Sequence, residues 1–187
     1  MEIDQQTGEA NIIRQCLDGE KDSYSILVDR YKMMVYNVAY RMLGDGDIAN
    51  DIAQESFIAA YGGLKTFKQD AKFSSWLYTI VLNKSRDYLR LAKENIPIED
   101  ISDVRPGSGI SPEQNAANRQ SGDMLQQALD ALSAEYREVL VLKHIEELDY
   151  QEISTITGTS VAALKVRAHR GREMLRAILE KTGVTHA

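Results

Sequence analysis

Apolar residues recur every three to four positions along most of the chain, which is the spacing of amphipathic α-helices. In the first half of the chain this period is interrupted at Gly19, at Gly44 and Gly46, and at Gly62 and Gly63. The interruptions predict four helices over about residues 8–18, 22–43, 47–61 and 74–92. Because the same period returns in the second half, we predict an all-α fold.

A proline-rich stretch separates the two sets of helices. All three prolines lie in it, at Pro97, Pro106 and Pro112. Helical periodicity stops near Lys93 and resumes near Glu113. Proline and glycine end helices and favour extended, mobile connections. The sequence therefore predicts two small helical domains joined by a flexible linker that contains proline and glycine, with the domains at 1–94 and 119–187 and the linker at 95–118.

The second domain is predicted to contain helices over about 123–132 and 134–146, with Ser133 placed to cap the latter, and then a helix-turn-helix. Asp149 and Glu152 have the spacing of a capping box, and Gly158 suits the left-handed residue that ends a short helix. Ser160 is placed to cap the next helix. Two helices joined by a short turn that contains glycine can insert the second helix into a DNA major groove.

The helix after Ser160 has one apolar side and one basic side. The apolar side carries Val161, Leu164, Ala168, Gly171, Leu175 and Leu179. Small residues on the other faces suit contact with base edges, and cations suit phosphates. The candidate DNA contacts are Ser160, Ala162, Ala163, Lys165, Val166, Arg167, His169 and Arg170. A solvated basic face on an ordinary helical hairpin would show the same pattern.

Charge is segregated along a chain whose formal net charge is −6. The N-terminal region is acidic, whereas the stretch from Lys65 to Lys93 and the last predicted helix are basic. Two basic islands in an acidic protein predict two contacts with one polyanion. They also predict weak binding unless another component holds the protein in place.

Little in the sequence indicates an enzyme, a metal site or a cofactor. There is no glycine-rich phosphate loop, the three histidines lack neighbours at metal-ligand spacing, and the carboxylates are expected on helix surfaces. Cys16 is the only cysteine and falls in a helical pattern, so we expect a core residue. No stretch is apolar enough to span a membrane and the N-terminus does not resemble a signal peptide, so we expect a cytoplasmic protein.

The fourth predicted helix carries a polar stripe formed by Thr79, Asn83, Arg86 and Arg90. The stripe follows a lysine-rich loop with aromatic residues, and cations combined with aromatic rings can hold unpaired bases. The candidate residues of the loop and of the helix start are Lys65, Phe67, Lys72, Phe73 and Trp76. The alternative is an amphipathic helix with an ordinary solvated face and a core Trp76.

The third predicted helix places Asp51, Gln54, Ile58 and Tyr61 on one stripe. The stripe mixes a carboxylate, an amide and apolar groups, and such a mixture is typical of protein-docking surfaces. A solvated helix face explains the pattern about equally well, so the stripe alone leaves both interpretations open.

Taken together, these segments resemble the extracytoplasmic-function (ECF) sigma factors of bacterial RNA polymerase. The likeness runs from about Asp22 to Leu179 and keeps the order of the family's motifs. Residues 51–57 match the family's D-x-x-Q-E-x-F segment, and residues 73–90 contain F-x-S-W-L-x-x-I-x-x-N and D-Y-L-R. Residues 137–140 and 150–153 resemble the domain that reads the more distant promoter element.

The resemblance implies a protein that directs core RNA polymerase to promoters and is not itself an enzyme. The first domain would bind the polymerase β′ clamp through Asp51, Gln54, Glu55 and Ile58, read the −10 element and melt DNA. The second domain would read the −35 element and contact the β flap. The resemblance also implies an anti-sigma factor that masks one or both domains. In that complex the two domains are expected to fold together around the inhibitor, which would bury the Asp51 stripe or the Arg167 helix.

Two positions depart from the commoner family pattern. Ala162 and Ala163 replace a frequent Gly-Thr pair, and Val166 replaces a frequent serine. Hydroxyl contacts are lost there, so promoter preference is expected to depend more on Val166, Lys165, Arg167 and DNA shape. The main rival is a dimeric helix-turn-helix regulator, which leaves residues 51–90 without a role. A nucleic-acid enzyme is a second rival, but it needs a metal or acid-base cluster that the sequence lacks.

Overall fold

The computed structural model describes residues 2–68, 71–94 and 116–181, with side chains described over 8–68, 71–94 and 122–181. The first set of helices comprises α1 (Glu2–Leu17), α2 (Ser23–Leu43), α3 (Gly46–Gly63) and α4 (Phe73–Glu94). The second set comprises α5 (Ala116–Asp130), α6 (Ala134–Leu140), α7 (Tyr150–Thr157) and α8 (Val161–Lys181). No strand occurs among the described residues, and the predicted all-α class is confirmed.

At several helix ends the structure contains the capping residues that the sequence predicts. Gly44 ends α2 in the left-handed conformation, with φ of 77°, and its N–H donates to the Tyr40 carbonyl. Asp149 and Glu152 form the predicted capping box at the start of α7. Gly158 ends α7 with φ of 68°. Asp149, Glu152 and Gly158 thus fix the two ends of α7, the first helix of the helix-turn-helix, because they satisfy backbone groups that helix ends leave unpaired.

Other ends differ from the prediction. Helix α5 begins at Ala116 rather than near 123, so it includes part of the predicted linker; residues 95–115 of that linker lie outside the described residues. Helix α4 begins at Phe73, one residue before the predicted cap at Ser74. Ser133 occupies the N-cap position of α6, but its side chain makes no capping hydrogen bond. A π-helical turn over Val141–Ile145 then extends α6.

A continuous apolar core joins the two sets of helices. In the first set it contains residues such as Leu27, Val38, Met42 and Leu77. The same cluster continues into the second set through Val139, Leu142, Ile153, Ile156, Leu164 and Ala168. A smaller cluster of Leu129, Leu132 and Leu140 packs with α8 inside the second set. The two domains therefore pack directly against each other, mainly through α4 and α7 and through α2 and α5.

A buried polar joint ties the end of α2 to α5 and α6. Arg137 donates to the carbonyls of Met42 and Asp130 and pairs with the Asp130 carboxylate at 3.3 Å. Gln126 accepts from Arg41 at 3.1 Å and donates to Asp130. Burial raises the pKa of the Asp130 carboxyl, although Arg137 and Gln126 oppose this shift. The bonds from Arg137 to Met42 and from Arg41 to Gln126 cross between the domains and hold them in one register.

Buried carboxylates differ from the sequence-based expectation that the carboxylates lie on helix surfaces. Glu138 is 6% exposed and Glu9 is 9% exposed. Glu9 accepts hydrogen bonds from Tyr31 and Arg30, so its charge is compensated inside the first domain. Cys16 is buried, as predicted. Among the described residues, none of the helices combines the length and apolar character needed to cross a membrane.

Candidate nucleic-acid interface

The reading helix of the helix-turn-helix is α8, and its faces lie as the sequence predicts. Leu164, Ala168 and Gly171 are buried against the rest of the second domain. On the opposite face Ala162, His169 and Arg170 are exposed, and half of the Val166 side chain is exposed. The apolar face therefore anchors the helix, and a row of small, apolar and cationic groups faces outward.

Neighbouring residues orient several of the outward groups at the start of α8. The Ser160 hydroxyl accepts from the Ala163 N–H at 3.3 Å, which caps the helix. Arg167 pairs with Glu135 at 3.3 Å, and Lys165 lies 6.0 Å from the centre of the Tyr150 ring. Exposed ion pairs of this kind are weak, so Glu135 holds Arg167 only loosely.

The aromatic residues at the start of α4 form a cluster. The Phe73 ring lies 5.5 Å from Phe67, 5.6 Å from Trp76 and 5.6 Å from Tyr31. Phe73 is 1% exposed, so its ring lies inside the cluster rather than at the surface where it was expected. Phe67 and Trp76 are half-buried at the edge of the cluster, with ring centres 5.1 Å apart. Part of each of these two rings therefore reaches the surface beside the start of α4.

The polar stripe of α4 divides into exposed and covered residues. Asn83 is exposed and accepts a hydrogen bond from Arg86 at 2.8 Å. Arg90 is also exposed and pairs with Asp87 at 3.2 Å. In contrast, Thr79 donates to the Ile156 carbonyl at 3.2 Å, and Arg86 pairs with Glu138 at 2.6 Å. The covered half of the stripe contacts the second domain instead of solvent.

Two further hydrogen bonds join this part of the first domain to the second domain. Tyr78 donates to Glu146 at 2.6 Å, and Lys72 donates to Glu152 at 2.9 Å. The hydrogen bond from Lys72 lowers the pKa of Glu152, followed in size by the backbone hydrogen bond at Asp149. Burial and the bond to Glu146 raise the pKa of Tyr78 well above its ordinary value. The sequence alone does not indicate Tyr78, Glu138, Glu146 or Glu152 as site residues, because their contacts form only where the two domains pack together.

The stripe on α3 faces solvent. Asp51, Gln54 and Glu55 are exposed, and 72% of Ile58 is exposed. Glu55 pairs with Lys84 of α4 at 2.8 Å. An isoleucine this exposed next to three polar groups is typical of a surface that another protein covers.

An open apolar groove of about 590 Å³ lies beside Ile58. Tyr24, Val28, Phe57 and Tyr61 line it together with Ile58. Tyr24 is fixed there because its hydroxyl donates to the Phe57 carbonyl at 2.8 Å and its ring lies 4.9 Å from Tyr61. The groove makes the α3 stripe and the adjoining part of α2 one continuous surface.

The remaining predicted site residue, Lys65, is exposed in the turn after α3. The packed domains leave the Asp51 stripe and most of the Arg167 helix open, and the contact falls on α4. In the described part of the chain, no three His, Cys, Asp or Glu side chains come together as a metal site requires.

Two family models match this chain, one in each domain. The Sigma-70 region 2 model matches residues 27–94, and the Sigma-70 region 4 model matches residues 122–175. These matches define a two-region protein of the sigma-70 class. The chain is 38% identical over 173 residues to the ECF RNA polymerase sigma factor SigW of Bacillus subtilis, covering 88% of this chain and 92% of SigW. The chain belongs to the ECF sigma factor family.

Solved structures show the same fold. CnrH in complex with the cytosolic domain of CnrY aligns with a TM-score of 0.69 and 26% identity, covering 91% of this chain and 96% of CnrH. The sigma factor RpoE of Bartonella quintana, in complex with the anti-sigma factor NepR, aligns with a TM-score of 0.72 and 21% identity, covering 84% of this chain and 96% of RpoE. The architecture predicted from the sequence motifs is thus that of known sigma factors.

Proposed function

We propose that this protein is the subunit that directs core RNA polymerase to a specific set of promoters and opens the DNA there. The observation that carries the proposal is the presence of three separate surfaces in the order of the family motifs: the α3 stripe, the α4 stripe and the α8 reading face. The polymerase performs the chemistry, so the protein itself is not an enzyme. It acts where the chromosome is, in the cytoplasm.

We assign the α3 stripe to the β′ clamp of the polymerase. The exposed Asp51, Gln54, Glu55 and Ile58 support this assignment because they combine charge, amide and apolar contact on one helix face. The neighbouring groove offers an apolar side chain of the partner a place to insert. Charged groups at the edge set the register of docking, and buried apolar contacts supply most of its affinity.

We assign the −10 element and the melted strand to the first domain, residues 1–94. Lys65, Lys72, Arg86 and Arg90 suit phosphates, and Asn83 and Thr79 suit base edges. Phe67 and Trp76 suit stacking on unpaired bases because their rings are partly exposed. Phe73 takes no direct part in this assignment because it supports the other two rings from within the core.

We assign the −35 element to the second domain, residues 119–187, which a linker joins to the first domain. The exposed face of α8 supports this assignment, with Val166 suited to a thymine methyl group and Lys165 and Arg170 suited to phosphates. Ser160, Ala162 and Ala163 allow close approach at the start of the helix, and Arg167 and His169 lie at its sides. The same domain would contact the β flap.

We also propose an anti-sigma factor as the partner that keeps the protein inactive. The aligned CnrH structure contains a bound protein, the cytosolic domain of CnrY, and this supports a protein ligand for the present chain. The exposed groove and stripe on α2 and α3 offer such a ligand a surface that the polymerase also needs, so the two partners would compete.

Co-purification with core polymerase tests the proposed function. A tagged full-length chain should retain core polymerase on a column, and the retained complex should initiate transcription on promoter DNA. The rival, a dimeric regulator, would bind a palindromic site as a dimer without polymerase. A chain that binds DNA specifically by itself and retains no polymerase would contradict the proposal.

A further inference from the structure

The N-terminal helix α1 packs beside the aromatic cluster of the first domain, although it lies before the stretch that carries the family motifs. Ile13 and Cys16 bury its apolar side in the core. The helix also packs on the turn at Leu64–Thr66, which leads into Phe67. Glu9 lies one helical turn before Ile13 and is only 9% exposed. Burying a carboxylate is costly, so a group enclosed in this way needs specific donors.

Two residues of α2 hold the Glu9 carboxylate. The Tyr31 hydroxyl donates to its Oε1 at 2.5 Å, and Arg30 donates to the same oxygen at 3.3 Å. Burial, followed by the hydrogen bond to Glu9, raises the pKa of Tyr31 well above its ordinary value, so the hydroxyl stays a donor at neutral pH. Short hydrogen bonds to a charged acceptor are the strong ones. Because the hydroxyl sits at the end of a rigid ring, Glu9 fixes the position of that ring.

The Tyr31 ring transmits this constraint to the rings at the surface. Its centre lies 5.6 Å from Phe73, at an interplanar angle of 48°. Phe73 in turn lies 5.5 Å from Phe67 and 5.6 Å from Trp76. The Trp76 ring also packs closely on the backbone of Gly63, where an added Cβ would lie 3.3 Å from it. Close-packed interiors transmit strain, so these rings do not reorient independently.

We propose that Glu9 is a positioning residue for promoter opening. Through Tyr31 and Phe73 it sets the orientation in which the two partly exposed rings reach the surface. The proposal rests on the assignment of these rings, Phe67 and Trp76, to unpaired bases. A ring that is already fixed loses less conformational entropy when a base stacks on it, so its orientation contributes to the stability of the open DNA. Glu9 itself touches no DNA.

Fluorescence of Trp76, the only tryptophan of the chain, tests the positioning in the free protein. Glu9→Ala removes the acceptor, whereas Glu9→Gln keeps an acceptor oxygen in a side chain of similar shape. We expect the acrylamide quenching constant to rise at least about 1.5-fold in Glu9→Ala, because the lost hydrogen bond frees other ring arrangements, and to return to the wild-type value in Glu9→Gln. Asp18→Ala removes the same charge from an exposed position and should leave quenching unchanged. Equal quenching in Glu9→Ala and the wild type would overturn the proposal.

Open-complex formation with core polymerase tests the consequence for promoter opening. We expect Glu9→Ala to open duplex promoters roughly threefold to tenfold more slowly than the wild type, and Glu9→Gln to open them at the wild-type rate. Pre-melted templates should lose less activity, and core affinity should stay the same because the α3 stripe is unchanged. A merely structural role would lower core affinity together with opening. That result, wild-type opening by Glu9→Ala, or an equal loss on both templates would overturn the proposal.

Tyr31→Phe keeps the test decisive if Glu9→Ala folds poorly. This variant removes only the hydroxyl, keeps the ring against Phe73 and leaves Glu9 paired with Arg30. It should match the quenching and the slow opening expected of Glu9→Ala. Wild-type behaviour in both measurements, at an unchanged melting temperature, would overturn the proposal. Failure of the wild-type chain to retain core polymerase would instead reject the proposed function, because the quenching measurement uses no polymerase.

Discussion

The Arg86 guanidinium lies against the Glu138 carboxylate, with Nε 2.6 Å from Oε2. The adjacent Arg137 reaches the Met42 carbonyl at the end of α2. Two consecutive residues of α6 thus hold two different helices of the first domain. Truncating one member of such an enclosed pair is costly because the other is left without its partner. These two contacts therefore help to fix the position of the second domain on the first.

Asp51→Arg should weaken docking on core polymerase. The change places a cation where the partner is expected to offer one, so a favourable pair is replaced by repulsion. We expect core affinity to fall at least tenfold, or about 1.4 kcal/mol, in a pull-down titration. Asp18→Arg is the matched control because it reverses an exposed acid away from the stripe. Equal retention of core by both variants and the wild type would remove Asp51 from the docking surface.

Asn83→Ala should slow promoter opening more than promoter binding. Asn83 is exposed on α4, and alanine is favourable in a helix, so the fold should tolerate the change. We expect fewer open complexes on duplex templates and partial recovery on pre-melted templates. Asn37→Ala on the exposed side of α2 serves as the control. If duplex and pre-melted templates lose activity equally, Asn83 acts in binding and not in opening.

Val166→Ser and Arg170→Ala should have different effects on the −35 element. Val166 lies at the centre of the exposed face, and a lost methyl contact discriminates between bases by about 1–3 kcal/mol. The valine change should therefore alter preference at one base position. The arginine change should weaken all promoters similarly and lower the salt slope by about one unit. The reverse pattern in a selection from a random library would mean that α8 is rotated relative to our assignment.

Gly44→Ala should destabilise the protein where its two domains pack together. Gly44 has φ of 77°, and a Cβ there would lie 2.5 Å from a carboxylate oxygen of Asp130. The left-handed conformation alone costs a residue other than glycine about 1–3 kcal/mol. Thermal unfolding should show a lower melting temperature. Gly122→Ala, in open space on α5, should raise it slightly because alanine favours helices. Equal melting temperatures for both variants would contradict the close approach of Gly44 and Asp130.

Local chemistry made much of this molecule predictable. The capping box at Asp149 and Glu152, the left-handed Gly44 and Gly158, and the apolar face of α8 depend on residues near in sequence. The faces of α3 and α8 were predictable for the same reason, because helical period determines which side chains share a face.

Tertiary contacts account for the parts that the sequence could not predict. Phe73 has the same neighbours in sequence whether it stacks on DNA or packs on Tyr31, and only the fold shows that it is buried. Glu138 pairs with a residue 52 positions away. No periodicity in α6 indicates that partner, since the pairing depends on how two separately predicted domains pack together.

Transcription in vitro across a random promoter library tests the central claim most directly. Core polymerase should be assayed alone, with the wild-type chain, and with Asp51→Arg. We predict RNA start sites that depend on the wild-type chain and share two upstream elements, one near −10 and one near −35, with much less RNA from the variant. Start sites identical with and without the wild-type chain would contradict the assignment of this protein as the promoter-specificity subunit.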